Sequence, residues 1–239
     1  MKIILKRSFA LGILLAFTGF AVAAQPAGSS NDEAIGVAVN KPVSNLLHTN
    51  RLADDPARSG TVIVPFDPPV DQNGNPLVDP VVYNGFCPAG PNPILDPNGD
   101  PVTLSKWLRI DGTARMKCQG NGTRVTLKYT GLIPNGVYST WVVVFDGSNL
   151  LGAGALGRPD GTQNHFRASS SGEGQLDVIM PPGVLSFIPY TIGSCLLNNP
   201  PISEVQIHTA YHIDGQTHGG VPGDDCSFAI PLAFSFIVP

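Results

Sequence analysis

The stretch "TRVTLKYTGLIPNGVYSTWVVVFDG", residues 123–147, decides the fold. In its first part Val125, Leu127 and Tyr129 alternate with Arg124, Thr126, Lys128 and Thr130. That period of two belongs to a strand with one face covered and one face wet. The turn "IPNG" follows from Ile133, where Asn135 and Gly136 tolerate positive φ. Beyond Tyr138 both faces are apolar as far as Phe145, which predicts a central strand covered on both sides.

The same grammar extends outward. "GQLDVIMPPG" alternates through Leu176, Val178 and Met180, and the last strand places Phe228, Ile230, Leu232, Phe234, Phe236 and Val238 on one face. Pro231 and Pro239 put that strand near an edge or beside a bulge, because proline cannot donate to a sheet ladder. Asp-Gly pairs at Asp111, Asp146, Asp160 and Asp214 read as tight turns. Gly 27 and Pro 23 make up about a fifth of 239 residues and are spread through the chain, so long helices are not expected. One short helical candidate stands at "LSKWL", Leu104 to Leu108. Many short strands separated by turns about every ten residues predict an all-β fold, an antiparallel β-sandwich of immunoglobulin-like or Greek-key type.

Residues 1–24 carry Lys2, Lys6 and Arg7, then an apolar run, then small residues, which reads as a signal peptide cleaved before Gln25. Residues 25–60 are polar and read as an N-terminal arm or linker. The β-sandwich domain is expected over 61–239, with an excursion rich in Pro, Asp and Gly at 65–101. Removing the three basic residues of the signal leaves 11 Lys and Arg against 18 Asp and Glu, a net charge of −7. A chain of that charge lacks the basic patch that nucleic acid requires, and no later apolar run is long enough for a membrane-spanning helix. The expected location is therefore outside the cytoplasm, periplasmic or extracellular. Cys87, Cys118, Cys195 and Cys226 are an even set without the Cys-x-x-Cys spacing of a zinc site, so two disulfides are expected. Of the three pairings, the favoured one joins Cys87 to Cys118 and Cys195 to Cys226.

Candidate chemistry gathers in "IHTAYHIDGQTHGGVPGDDC", residues 207–226. As a strand it places Val205, Ile207 and Tyr211 on one face and Gln206, His208, Ala210 and His212 on the other, which is expected to be wet. His208 and His212 then stand about 13 Å apart, too far to share one ion. His212 and Asp214 share a face about 6.6 Å apart, and the Asp-Gly turn can return His218 to them. Two imidazoles and a carboxylate suit zinc or copper. His208 and His165 are the additional candidate ligands, with His165 the expected fourth member.

Calcium is the weaker candidate. Asp71, Asn73 and Asn75 offer oxygens at alternate positions, but no acidic residue completes an EF-hand loop at Val82. A mononuclear blue-copper centre is disfavoured, because no histidine or methionine follows Cys226. No nucleophile elbow, phosphate loop, dinucleotide-binding fingerprint or HExxH motif occurs. The three glutamates, Glu33, Glu173 and Glu204, suggest no acid-base pair, and Trp107, Trp141 and five tyrosines are too few to nominate a sugar-binding groove.

The segments "YTGLIPNGVYSTWVVVF", "HFRASSSGEGQL" and "EVQIHTAYHIDGQTHGGVPG", in that order, resemble a loose group of uncharacterised bacterial secreted proteins. The resemblance spans roughly Cys118 to Phe236, with Asn135 where the group usually has glycine. It implies an exported β-sandwich and no particular reaction. The expected function is a non-catalytic binding or surface-associated module for a protein or small-molecule ligand, with metal binding at residues 208–218 as the alternative.

Overall fold

A computed structural model describes the strand placements 33–39, 43–45 and 62–64, residues 73, 75, 78–85 and 87, and residues 92–238 apart from 121. The signal segment 1–24 and Asp71 of the calcium candidate lie outside the described residues.

Fifteen strands are described. The N-terminal five are β1 (Glu33–Val39), β2 (Val43–Asn45), β3 (Val62–Val64), β4 (Tyr83–Asn84) and β5 (Asn92–Pro93), followed by the short helix α1 (Leu104–Leu108). Then come β6 (Asp111–Gln119), β7 (Gly122–Thr130), β8 (Val137–Asp146), β9 (Asn149–Ala155), β10 (His165–Arg167) and β11 (Gly174–Met180). The chain closes with β12 (Gly183–Val184), β13 (Thr191–Ile192), β14 (Glu204–His212) and β15 (Phe228–Ile237). The main ladder runs β10-β8-β14-β15-β1-β6-β7-β11, with β9 paired to β8. β2 to β5 form a small sheet of their own, and β12 pairs with β13.

The ladder folds over at β1 into the two layers of an antiparallel β-sandwich. Glu33–Gly36 of β1 pair with β6, whereas Val37–Val39 pair with β15, so this one strand serves both layers. Part of the 25–60 stretch read as an arm is thus an interior strand. Its larger side chains, Ile35, Val37 and Val39, alternate with the small residues Ala34, Gly36 and Ala38 rather than with polar ones, and that muted the alternation in the sequence. Tyr129 on β7 closes the sandwich: its hydroxyl meets that of Thr209 on β14 at 2.8 Å, and its ring stands 5.2 Å from Phe166 and 6.0 Å from Phe234. Val125, Leu127, Ile207 and Phe234 are fully buried between the layers.

Within the ladder β8 is an interior strand buried on both faces, as its two apolar faces foretold. β14 runs along one edge of it, while β10 and β9 take the other edge end to end. β15 is also an interior strand, between β14 and β1, so of the expected edge or bulge it is the bulge that occurs. Its proline is accommodated there: the register steps so that Ile230 and Pro231 both face Ala210, which turns Phe228 and Ile230 to the face opposite Leu232, Phe234 and Phe236 and corrects the expectation that all of them share one face. Asn135 has φ 58, as the turn reading required. Asp111-Gly112, by contrast, is no turn, because both residues lie in β6, where Tyr129 and Phe234 crowd the space a side chain on Gly112 would need.

Both disulfides form, but with pairings other than the favoured one: Cys87 joins Cys226 and Cys118 joins Cys195. Proximity along the chain misled because cross-strand geometry delivers the partners. Thr123 sits opposite Cys118 in the β6–β7 hairpin and accepts a 2.9 Å hydrogen bond from the Leu196 amide, which sets Cys195 beside Cys118. Asn84 donates to the Asp225 carbonyl at 3.0 Å, which draws Cys226 toward Cys87. Two disulfides fit an oxidising, extracytoplasmic compartment. No helix among the described residues is long and apolar enough to cross a membrane.

Candidate metal centre

The end of β14 builds the site. β14 alternates as the sequence indicated, with Val205, Ile207 and Tyr211 in the core cluster and Gln206, His208, Ala210 and His212 on the opposite face. That opposite face is not wet: Gln206, His208, Ala210 and His212 are all buried. A second apolar cluster of Trp141, Ala155, Ala210, Phe228 and Ile230 lies there, so both histidines stand in a low-dielectric setting.

His212 is 1 % exposed. Its Nε2 lies 2.7 Å from the Ser139 hydroxyl, which also accepts a 2.9 Å hydrogen bond from the Trp141 indole. Its Nδ1 is buried with no hydrogen-bond partner. Burial pushes the pKa of His212 down to about 4, with His218 and His165 lowering it further against the opposing pull of Asp214. A neutral imidazole with one orphaned nitrogen is the form in which histidine binds metals.

The Asp-Gly turn then performs the return the sequence suggested. Gly215 adopts φ 71, and the Gln216 amide donates to Asp214 Oδ1 at 3.1 Å. Asp214 Oδ2 is left facing His218 Nε2 at 2.9 Å. The His212 and His218 rings stand 5.6 Å apart. One donor atom each from His212, Asp214 and His218 falls within a 4.8 Å set. Donors about 2.0–2.2 Å from a tetrahedral ion stand roughly 3.3–3.6 Å apart, so separations of this order bracket what zinc requires. Two glycines hold the return in place. Gly161, at φ 73, packs so tightly that an added Cβ would sit 2.0 Å from the Gly219 carbonyl oxygen, and Gly223, at φ 99, leaves room for the His218 ring.

No family model and no curated protein matches this chain. The arrangement of the donors therefore carries the functional argument alone.

The other two candidates are placed apart from the triad. His165 lies opposite Ser139 in the β10–β8 pairing, near enough for its charge to influence His212, but its Nδ1 contacts the Gly161 carbonyl at 3.3 Å and it does not join the donor set. His208 faces along β14 in the other direction: its Nε2 lies 2.9 Å from Gln206 Oε1, and Gln206 Nε2 donates to Glu204 Oε1 at 2.8 Å. Cys226 is disulfide-bonded, which removes it as a copper ligand. Sequence reasoning missed Ser139 and Trp141, because a hydroxyl that orients a histidine across a sheet leaves no spacing signal.

His208 predicts a pH effect on stability. Burial lowers its pKa from 6.5 to about 4. Between those values the unfolded chain binds a proton that the folded chain refuses, so this stabilisation is complete above pH 6.5 and fades as pH falls toward 4. The linkage amounts to about 3 kcal/mol across the window. His208→Gln is expected to flatten the fall in urea midpoint between pH 6.5 and 4. An unchanged profile in the variant would exclude His208 as its source.

Proposed function

We propose that the protein is an exported, non-catalytic β-sandwich that binds a zinc or copper ion through His212, Asp214 and His218, leaving coordination positions for an outside ligand. The observation that supports this most is the convergence of one donor atom each from His212, Asp214 and His218 within 4.8 Å of one another, on a histidine whose Nδ1 is buried and unpartnered. Burying a polar atom without a partner costs about 1–3 kcal/mol, and an ion at this point removes that penalty. In the metal-bound form His212 Nε2–H donates to Ser139, which fixes the ring as the outer partner of a metal-bound histidine does. His218 and Asp214 are partly accessible, so an ion can enter from solvent.

Export rests on the signal-like leader and the two disulfides. Copper electron paramagnetic resonance tests the ligand set. One equivalent of Cu(II) is expected to give hyperfine structure from two imidazole nitrogens, reduced to one in His218→Ala, with weaker binding in Asp214→Asn. A spectrum unaltered by both substitutions would place the ion elsewhere.

A further inference from the structure

Away from the histidines, a cavity of about 300 Å³ opens between the C-terminal end of α1 and the turn after β7. It shares no residue with the metal centre. Its apolar surface is supplied by Val102, Leu132 and Ile133, and its charged surface by Lys106, Arg109 and Asp96.

The charges are unevenly committed. Asp96 Oδ1 already accepts the amides of Asn98 and Asp100, at 2.9 and 3.1 Å. Arg109 donates from Nε to the Ser105 carbonyl at 3.3 Å, and its charge helps hold the Asp79 carboxyl below its usual range, after the larger effect of the Ser105 hydroxyl. Among the described residues no carboxylate lies within ion-pair distance of Lys106 or Arg109. Two cations thus border a pocket whose nearest acid is occupied by its own turn. In a chain of net charge −4 the pair gives the mouth of this cavity a local positive charge that attracts an anion.

The walls are fixed before any ligand arrives. The Ile133 amide donates to the Tyr138 hydroxyl at 2.8 Å, the Leu132 amide to the Gly172 carbonyl at 2.9 Å, and the Asn135 amide to the Ser169 carbonyl at 3.2 Å. Across the cavity the Tyr211 hydroxyl donates to the Leu95 carbonyl at 2.7 Å, which anchors the segment carrying Asp96. Gly131, at φ 68, lets the turn abut α1, since an added Cβ would lie 2.3 Å from the Arg109 carbonyl oxygen. Rigid walls cut the ordering cost of binding.

We propose that this cavity binds a small monocarboxylate with an apolar tail, the carboxylate between Lys106 and Arg109 and the tail against Val102, Leu132 and Ile133. Apolar lining with a few placed polar groups is the usual composition of a small-molecule site, and the volume sits at the lower end of the range for such sites. The two cations select for the acid over its neutral counterpart, and the apolar wall selects for a tail over a bare anion.

Calorimetric titration of the signal-free protein with 4-phenylbutyrate and with 4-phenylbutanol separates the contributions. The acid is expected to bind at one site, at least tenfold more tightly than the alcohol, and Lys106→Gln/Arg109→Gln is expected to lose tenfold or more of that affinity with an unchanged melting temperature. Should the double variant fold poorly, the exposed single substitution Lys106→Gln is expected to weaken acid binding severalfold and leave alcohol binding unaltered. Equal binding of acid and alcohol, retention of acid binding in the variants, or no binding of the acid at millimolar concentration would overturn the proposal.

Discussion

Serine at both Cys118 and Cys195 is expected to lower the unfolding free energy by about 4.5 kcal/mol, the chain-entropy value for a bridge closing this length of chain. The two residues lie 77 positions apart and tie the end of β6 to the segment before β14. Without the bridge, the 3-10 turn Leu196–Asn198 is still held by the buried side chains of Leu196 and Leu197 and by the Leu196 amide donating to the Thr123 hydroxyl at 2.9 Å, so the loss falls mainly on the unfolded state. Both cysteines must be replaced, because one remaining thiol can exchange with the Cys87–Cys226 bridge. Guanidinium unfolding of the double variant checks the number. Peptide mapping without reductant checks the pairing, and a Cys87–Cys118 peptide would contradict the structure directly.

Phe234→Ala carries a comparable effect, an expected loss of about 3–5 kcal/mol, as for other large aromatic residues truncated in a core. Phe234 is fully buried in β15, opposite Ile207 of β14 and Ala38 of β1. Its ring reaches Tyr129 of the facing layer, so truncation opens the seam between the layers. The seam cannot simply collapse, because both layers are held by continuous antiparallel ladders. Ile237→Ala near the end of the same strand is the control: Ile237 is 40 % exposed, and a loss within about 0.5 kcal/mol is expected. Equal losses at the two positions would contradict the inward and outward assignment of β15.

Both predictions rest on features that differ in how visibly they are written. The alternation of Val125, Leu127 and Tyr129 and the doubly apolar run after Tyr138 were sufficient to place β7 and β8, because side-chain direction in a strand follows from residue number alone. The Asn135 turn and the bulge at Pro231 were legible for the same local reason. Disulfide pairing was not, since it depends on which strand ends meet in space. The fate of the Gln206, His208 and His212 face was not legible either. Polar residues on alternate positions read as wet, and their burial depends on the cluster formed by Trp141, Phe228 and Ile230 from two other strands.

The candidate site was half visible. The Asp214-Gly215 turn and the spacing to His218 announced a return, and the donors do converge there. What held them was hidden: the Ser139 hydroxyl on a neighbouring strand, and the backbone contact between Gly161 and Gly219, fifty-eight positions apart. His208 belongs to the sequence reading by its nearness to His212, and His165 because alternation with Phe166 and Ala168 leaves it outside the core. The sheet register separates them, sending His208 toward Gln206 and leaving His165 against the Gly161 carbonyl.

Metal content is the most direct test of the central claim. The signal-free protein, loaded with zinc or copper and then dialysed, is expected to retain close to one ion per chain by elemental analysis. His212→Ala/His218→Ala treated in parallel is expected to retain almost none while keeping the β-sheet circular dichroism of the parent. Retention of no ion by the parent, or of as much by the folded double variant, would contradict the account and leave the Asp214–His218 contact as a brace for its turn.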